Sequence, residues 1–340
     1  MENIEKKVID TIIKYNLIEE GDKIVLGVSG GPDSICMLDI LNKIKKNESC
    51  QKGPSLVASF DIVVAHINHM IREEASEDEA FVKNFCEKND IEFYSKSIDV
   101  QKLANNNKIG TEEEGRIVRY EFFDEVLEKT NSNRIAIAHN KNDNAETIIM
   151  NAIRGSGISG LKGIEAKRGK YIRPLIECER NEIEEYCEKE NLNPRIDKTN
   201  FENEYTRNKI RNIAIPYIKK EFNPNIIETL NRLSNLVLEE EEYINKQVEK
   251  IYKDILINEK ENIEIILDLK KFNNQEKVIK SRLLLYTITR LLGSSKGIEK
   301  VHIEDVIKLC GNNIGNKYLT PNKNIKILVK NHKIYFLNQV

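Results

Sequence analysis

The chain has 340 residues, 40% of them hydrophobic, and a formal net charge of −2. That length accommodates two domains, each with its own core, and that charge argues against a protein that coats nucleic acid without specificity. No apolar run approaches the roughly 18 to 20 residues that span a bilayer, so a membrane is not an expected partner.

In chain order, MENIEKKVIDTIIKYNLIEEGDK mixes charge into an amphipathic helix and lacks a signal peptide's apolar core and cleavage site, which makes a cytoplasmic location the expectation. KIVLGV (23–28), DIVVAHI (61–67), IEFYSKSI (91–98) and RIAIAH (134–139) are short and rich in β-branched residues and predict strands. Helical patterns lie between and after them, over 34–46, 74–89, 112–129 and 143–154. The alternation predicts an α/β domain, a mainly parallel sheet with helices on both faces, whose ligands sit at the carboxyl ends of the strands.

From about 172 the pattern changes: YIRPLIECERNEIEEYCEKENLNP reads as a short extended segment, a helix and a break at Pro194. Beyond Pro216 helices are expected over 225–251, 276–292 and 301–309, then two candidate strands, IKILV and KIYFL, joined by KNH. The expected division is therefore an ATP-binding catalytic domain over 1–216 and a mostly helical domain over 217–340 ending in a β-hairpin.

The six cysteines are scattered, with no CxxC and no Cys/His cluster at zinc spacing, and read as reduced thiols. Charge is uneven. Residues 205–220, YTRNKIRNIAIPYIKK, hold five basic side chains and no acidic one, and the last 35 residues carry six lysines and no carboxylate side chain. Acid collects elsewhere, as in EEEE at 239–242.

LGVSGGPDS at 26–34 places two glycines and a proline directly after a strand. Gly30 and Gly31 can adopt positive φ and let backbone N–H groups approach an anion closely. Pro32, Asp33 and Ser34 open the following helix, whose N-terminus carries partial positive charge towards the same anion. The hydroxyls of Ser29 and Ser34 are further donors. The lysine of a Walker loop is absent, and so is a dinucleotide GxGxxG.

SGGxDS after a strand resembles the PP-loop of the ATP pyrophosphatases, with their adenine nucleotide α-hydrolase-like fold. The resemblance implies ATP cleavage between the α and β phosphates and transfer of AMP to an acceptor. Five further stretches follow in order: AHINHMIREEASEDEAFV (65–82), EEEGRIVRYEFFDEV (112–126), AHNKNDNAETIIMNAIRGSGISGL (138–161), IRPLIECERNEIEEYC (172–187) and IDKTNFENEYTRNKIRNIAIP (196–216). Together they resemble the tRNA(Ile)-lysidine synthetase family. The motifs are dense over 23–216; beyond that the likeness is one of character.

That resemblance implies ligation of free L-lysine to the wobble cytidine of isoleucine tRNA with anticodon CAU, through an adenylated base. ATP and Mg²⁺ are the implied cofactors, with Asp33 placing the metal. Asp143 and Glu146, three apart on a predicted helix, share a face, and the family's pattern assigns them to lysine. Arg119, Arg207 and Arg211 are candidates for charge on the α-phosphate, since a guanidinium binds phosphate oxygens bidentately and stays charged. Arg119 is alternatively a helix-face partner of Glu113 or Asp124. His66 and His69 match the family's HxNH segment, or are packing residues. His139, Arg154, Lys209, Lys219 and Lys220 are candidate contacts to tRNA or nucleotide.

Two positions depart from the family. Asn140 and Asn142 stand where a second histidine and a first aspartate are usual, and asparagine cannot titrate. Many members also carry a further C-terminal domain, whereas this chain ends at Val340. A wobble base is already single-stranded and can be splayed into a pocket, and the basic segments 205–220 and 308–333 would then meet the phosphate backbone. Rival readings are another ATP pyrophosphatase, for tRNA thiolation or amidation of a small acid, and a non-catalytic tRNA-binding protein. A homodimer is left open.

Overall fold

The computed structural model describes residues 4–46, 59–70, 75–195, 206–311 and 317–339. Cys50 and two portions of the motif stretches, 71–74 and 196–205, lie outside the described residues. The chain forms two compact units, 1–235 and 236–340.

The first unit runs α1 (Ile4–Lys14), β1 (Asp22–Gly27), α2 (Pro32–Lys45), β2 (Phe60–Asn68), α3 (Ala75–Asn89), β3 (Glu92–Ser97), α4 (Val100–Asn107), α5 (Thr111–Lys129) and β4 (Arg134–Ile137). It continues through α6 (Lys141–Ile153), α7 (Ile158–Leu161), β5 (Lys167–Arg168), β6 (Tyr171–Ile172), α8 (Arg180–Lys189), α9 (Thr206–Lys209), a π-helical turn (Ile210–Ala214) and α10 (Ile215–Glu221). The strands lie in the order β3-β2-β1-β4-β6-β5. All pairings are parallel except that of the edge strand β5 with β6. This is the mainly parallel sheet the alternation predicts.

Strand β1 is central and apolar on both sides, as a strand covered on both faces must be. Ile24 and Leu26 point into the core beneath α1, α2, α3 and α8, while Val25 points to the opposite core with Phe122, Phe123 and Val126 of α5. Gly27 is glycine because α5 comes so close: a Cβ there would lie 2.4 Å from the Phe123 ring. From β1 the chain builds outward to β2 and β3, then returns to add β4 on the other side. The order reverses between β1 and β4, which opens a crevice at their carboxyl ends.

The expected division at 216 differs from the observed one at 235. Ile226, Ile227 and Leu230 share an apolar cluster with Ala145, Ile149 and Met150 of α6, and Asn231 donates to the Lys141 carbonyl at 3.0 Å. Residues 217–235 are thus held to the first unit, and α11 (Ile226–Ile255) runs across the division.

The second unit is less helical than expected. The expected hairpin is present as β10 (Ile325–Lys330) and β11 (Lys333–Asn338). It sits inside a five-stranded antiparallel sheet, order β7-β8-β11-β10-β9, with β7 (Leu256–Lys260), β8 (Glu264–Asp268) and β9 (Lys317–Asn322). Helices α12 (Leu269–Asn273), α13 (Lys277–Leu292) and α14 (Lys300–Gly311) pack on it around the fully buried Phe272 and Phe336. No helix among the described residues is long and apolar enough to cross a membrane.

Candidate functional site

The crevice between β1 and β4 collects the motif residues. Leaving β1, the chain turns at Gly30 with φ +92°, a conformation that favours glycine. The Ser34 hydroxyl folds back into this turn, accepting from the Ser29 and Gly30 amides at 3.2 Å each and donating to the Gly31 carbonyl at 3.0 Å. Ser34 is buried, so in this arrangement it shapes the loop. Pro32 supplies the first turn of α2, and no side chain caps that helix. Its leading amides are therefore left without a side-chain acceptor, as an anion site requires. A second strap comes from Arg195: its amide donates to the Gly30 carbonyl at 2.9 Å, and its side chain pairs with Asp78 and Glu77 of α3.

Across the crevice, β4 delivers His139 and Asn140 to the start of α6. Asn140 is fully buried and makes three connections. Its side-chain oxygen accepts from the Asp143 amide at 2.9 Å, its own amide donates to the Asp143 carboxylate at 3.1 Å, and its Nδ2 donates to Asp33 Oδ1 at 2.8 Å. The first two close a reciprocal cap on α6; the third ties that helix to the phosphate loop. Asn142 accepts from the Arg180 amide at 3.1 Å. Both departures from the family pattern thus serve as hydrogen-bonding groups.

Asp143 and Glu146 lie on one face of α6, as their spacing predicts, and are 7% and 1% exposed. Both face arginines. Arg211 Nε and Nη2 grip Glu146 at 2.6 and 2.8 Å, and Nη2 also reaches Asp143 at 3.0 Å. Arg207 bridges Glu146 at 3.0 Å and Asp143 at 3.2 Å. Arg180 stands 3.8 Å from Asp143. Two buried carboxylates without these partners would be too costly to ionise together. Burial alone would raise the Asp143 carboxyl, but Arg207, His139, Arg211 and the Asn140 amide hold it below its ordinary value. Asp33 moves the other way, to about 6, through burial and the charge of Asp143, against the pull of Arg180, Asn140 and Arg211.

The histidines divide. His66 is buried and its Nδ1 lies 2.9 Å from the Val28 carbonyl, which requires the proton on Nδ1 and pins β2 to the start of the loop. His69 reaches Arg119 at 3.4 Å, so Arg119 faces the strand ends; no pairing with Glu113 or Asp124 is present. Burial, Arg119 and His66 lower His69 to about 4. His139 is likewise lowered to about 4, by burial first, against the charge of Asp143 and with Arg173, Arg207 and Arg119 adding to the lowering. Arg154, Lys209 and Lys220 are exposed and Lys219 half-exposed, outside the crevice.

Arg180, Arg195 and Asn144 were not singled out from the sequence. Asn144 accepts from the Ile164 amide at 2.6 Å and donates to Asn231 at 2.8 Å, so close to Gly163 that a Cβ there would lie 2.0 Å from its oxygen. Arg180 had a usable signal: it opens the helix following β6, at the carboxyl edge of the sheet. No group of three or more metal-ligating side chains exists among the described residues. Asp33 offers a single carboxylate, which suits an ion held mainly by nucleotide phosphates and water.

The PP-loop domain family matches residues 1–218. Over 336 residues the chain is 46% identical to tRNA(Ile)-lysidine synthase of Clostridioides difficile, covering 98% of this chain and 70% of that protein. It is 47% identical over 317 residues to the protein of the same name in Clostridium acetobutylicum, covering 93% and 66%. Similarity extends at 34% identity to a bifunctional protein TilS/HprT of Listeria monocytogenes, covering 95% of this chain and 49% of that one. Among solved structures, a U34-tRNA thiolase, NcsA, from Methanococcus maripaludis superposes with TM-score 0.56 at 20% identity, covering 69% of this chain and 78% of that one, a likeness of fold. The chain thus spans about two thirds of the length of the curated lysidine synthase relatives.

Proposed function

This chain belongs to the tRNA(Ile)-lysidine synthase family of PP-loop proteins, and we propose on that premise that it is the ATP-dependent ligase that forms lysidine on isoleucine tRNA. The acceptor is the wobble cytidine of the CAU anticodon and the donor is free L-lysine. The observation that carries the reading is the link from Asp33 through Asn140 to Asp143 and Glu146, which joins a phosphate cradle to a carboxylate pair.

In the first step the cytidine ring oxygen attacks the α-phosphorus and pyrophosphate leaves. The open amides of α2 take the charge of the departing group. Arg207 and Arg211, at present on the carboxylates, are the guanidinium groups we assign to the charge on the α-phosphate. As they turn to phosphate, Asp143 and Glu146 lose their closest guanidinium partners, Asp143 keeping the Asn140 amide at 3.1 Å and Arg180 at 3.8 Å. An ammonium group is then the complementary ligand, and this exchange makes the lysine site available after ATP is engaged. In the second step the ε-amine attacks the activated ring carbon, AMP leaves, and the amine's proton passes to a carboxylate. Mg²⁺, held by Asp33 and the phosphates, would supply charge neutralisation at the leaving group. His69 and His139, neutral at physiological pH, act as hydrogen-bonding groups here.

Thiolation needs an accessible cysteine, and the five described cysteines are buried. The test is release of AMP that requires both lysine and a CAU isoleucine transcript, pyrophosphate coming from the first step with the transcript and ATP alone. Asp33→Ala abolishes both if the reading is right; AMP release that ignores lysine would refute it. Light scattering decides between the 39.3 kDa chain and a homodimer.

A further inference from the structure

Residues 206–222 have two faces with different jobs. The inner face buries Ile210 and Ile215 at 3% and 6% exposure against Ala145 and Ile227, and delivers Arg207 and Arg211 to the carboxylates. The outer face follows the spacing 209, 213, 217, 220. It presents Lys209, Ile213 at 55% exposure, Tyr217 at 59% and Lys220, and Phe222 follows at 74%. The Tyr217 and Phe222 rings lie 5.8 Å apart at 66°, edge to face, in the open. A π-helical turn spans Ile210–Ala214 within this segment; such turns recur at functional sites.

Core packing does not explain these aromatics, since both stand outside every buried cluster of the first unit. Their neighbours decide what they fit. Protein–protein interfaces are depleted in lysine, whereas Lys209, Lys219 and Lys220 cluster here with one acidic residue, Glu221, paired to Lys220. Aromatic rings set among cations are the means by which proteins hold unpaired nucleotides: the ring stacks a base and the ammonium groups take the flanking phosphates.

We propose that the outer face of 206–222 is an RNA-docking surface, on which the Tyr217–Phe222 pair stacks one unpaired base while Lys209 and Lys220 hold the adjacent backbone. The proposal rests on the reading of the substrate as a tRNA and adds to it a place where the RNA is gripped outside the crevice. Because the same segment carries both catalytic arginines inward, RNA held on one face bears directly on the groups at the other.

The experiment uses the full chain and a fluorescent RNA stem–loop carrying the CAU loop, beside a blunt duplex with the same number of phosphates. Tyr217→Ala and Phe222→Ala each weaken stem–loop binding about 5- to 150-fold, leave duplex binding and the salt slope unchanged, and leave the thermal midpoint in place because both side chains are exposed. Lys209→Ala and Lys220→Ala each reduce the single-strand salt slope by about 0.7. The chain has no tryptophan, so Phe222→Trp retains binding and reports it: its emission is quenched by the stem–loop and not by the duplex. Alanine variants that bind the stem–loop like wild type, or a tryptophan indifferent to RNA, overturn the proposal. Concentration-dependent dimerisation lost in Phe222→Ala, with RNA binding intact, also overturns it by giving the face to a second copy. If wild type lacks lysine-dependent AMP release, the functional reading fails; if wild type is active and only the aromatic effects are missing, the docking surface fails alone.

Discussion

Asn140 shows how much one side chain decides here. It caps α6, restrains Asp143 and holds Asp33, all from a fully buried position. Asn140→Ala removes a cap worth roughly 1 kcal/mol and strands a buried amide as well. We expect a loss of about 1–3 kcal/mol in urea unfolding, with AMP formation reduced more than stability alone accounts for, because Asp33 loses its only side-chain donor among the described residues. An unchanged turnover in Asn140→Ala would remove the bridge from the account. His69 and His139 give a second prediction. Both have folded pKa values lowered to about 4 from an ordinary value near 6.5, so between those limits the unfolded chain binds protons that the folded chain refuses. Stability falls as pH drops from about 6.5 to about 4. The groups facing them, Arg119 and His66 for one, and Asp143, Arg173, Arg207 and Arg119 for the other, are those already named. Asp33, raised to about 6, works in the opposite sense. The check is therefore differential: urea midpoints from pH 7 to pH 4.5 fall less steeply in His69→Gln and His139→Gln than in wild type. Slopes identical to wild type would contradict the burial of neutral imidazoles.

At the scale of elements, the close packing of α5 on β1 is testable through Gly27. Gly27→Ala puts a methyl into the Phe123 ring; overpacking of this kind costs about 1–3 kcal/mol, and Phe123→Leu should recover most of it in thermal melts. No loss in the single variant would show that α5 sits further from the sheet. Strands β1 and β2 of the first sheet were legible because they are largely buried and read as β-branched runs. Those of the second sheet were less so: LINEK and KYLTPN are edge strands whose exposed side carries charge or proline, as edges must to avoid pairing with other chains, and this erases the alternation. The phosphate loop, Asp143 with Glu146, and Arg207 with Arg211 were each visible as local patterns. That the arginines occupy the carboxylates was not, since the contact joins segments brought together only by the fold. The role of Asn140 was hidden for the same reason: its partner Asp33 lies at the end of a different strand.

For the molecule as a whole, a net charge of −2 conceals basic surface at 205–220 and in the last 35 residues. RNA affinity should therefore fall more than about 10-fold between 50 and 200 mM salt, measured by anisotropy; a flat profile would remove phosphate contacts from the account. Chemically, a glycine turn and an open helix end are proposed to hold pyrophosphate while a nucleobase takes AMP and then exchanges it for lysine, AMP departing. The most direct test is incubation of the full chain with labelled lysine, ATP and a CAU isoleucine transcript, followed by nucleoside analysis and quantitation of the nucleotide products. This route places label in the wobble nucleoside, releases AMP and pyrophosphate in equal amounts, and gives none of the three with Asp33→Ala. Formation of ADP and phosphate, or AMP released with no label entering the RNA, would contradict it.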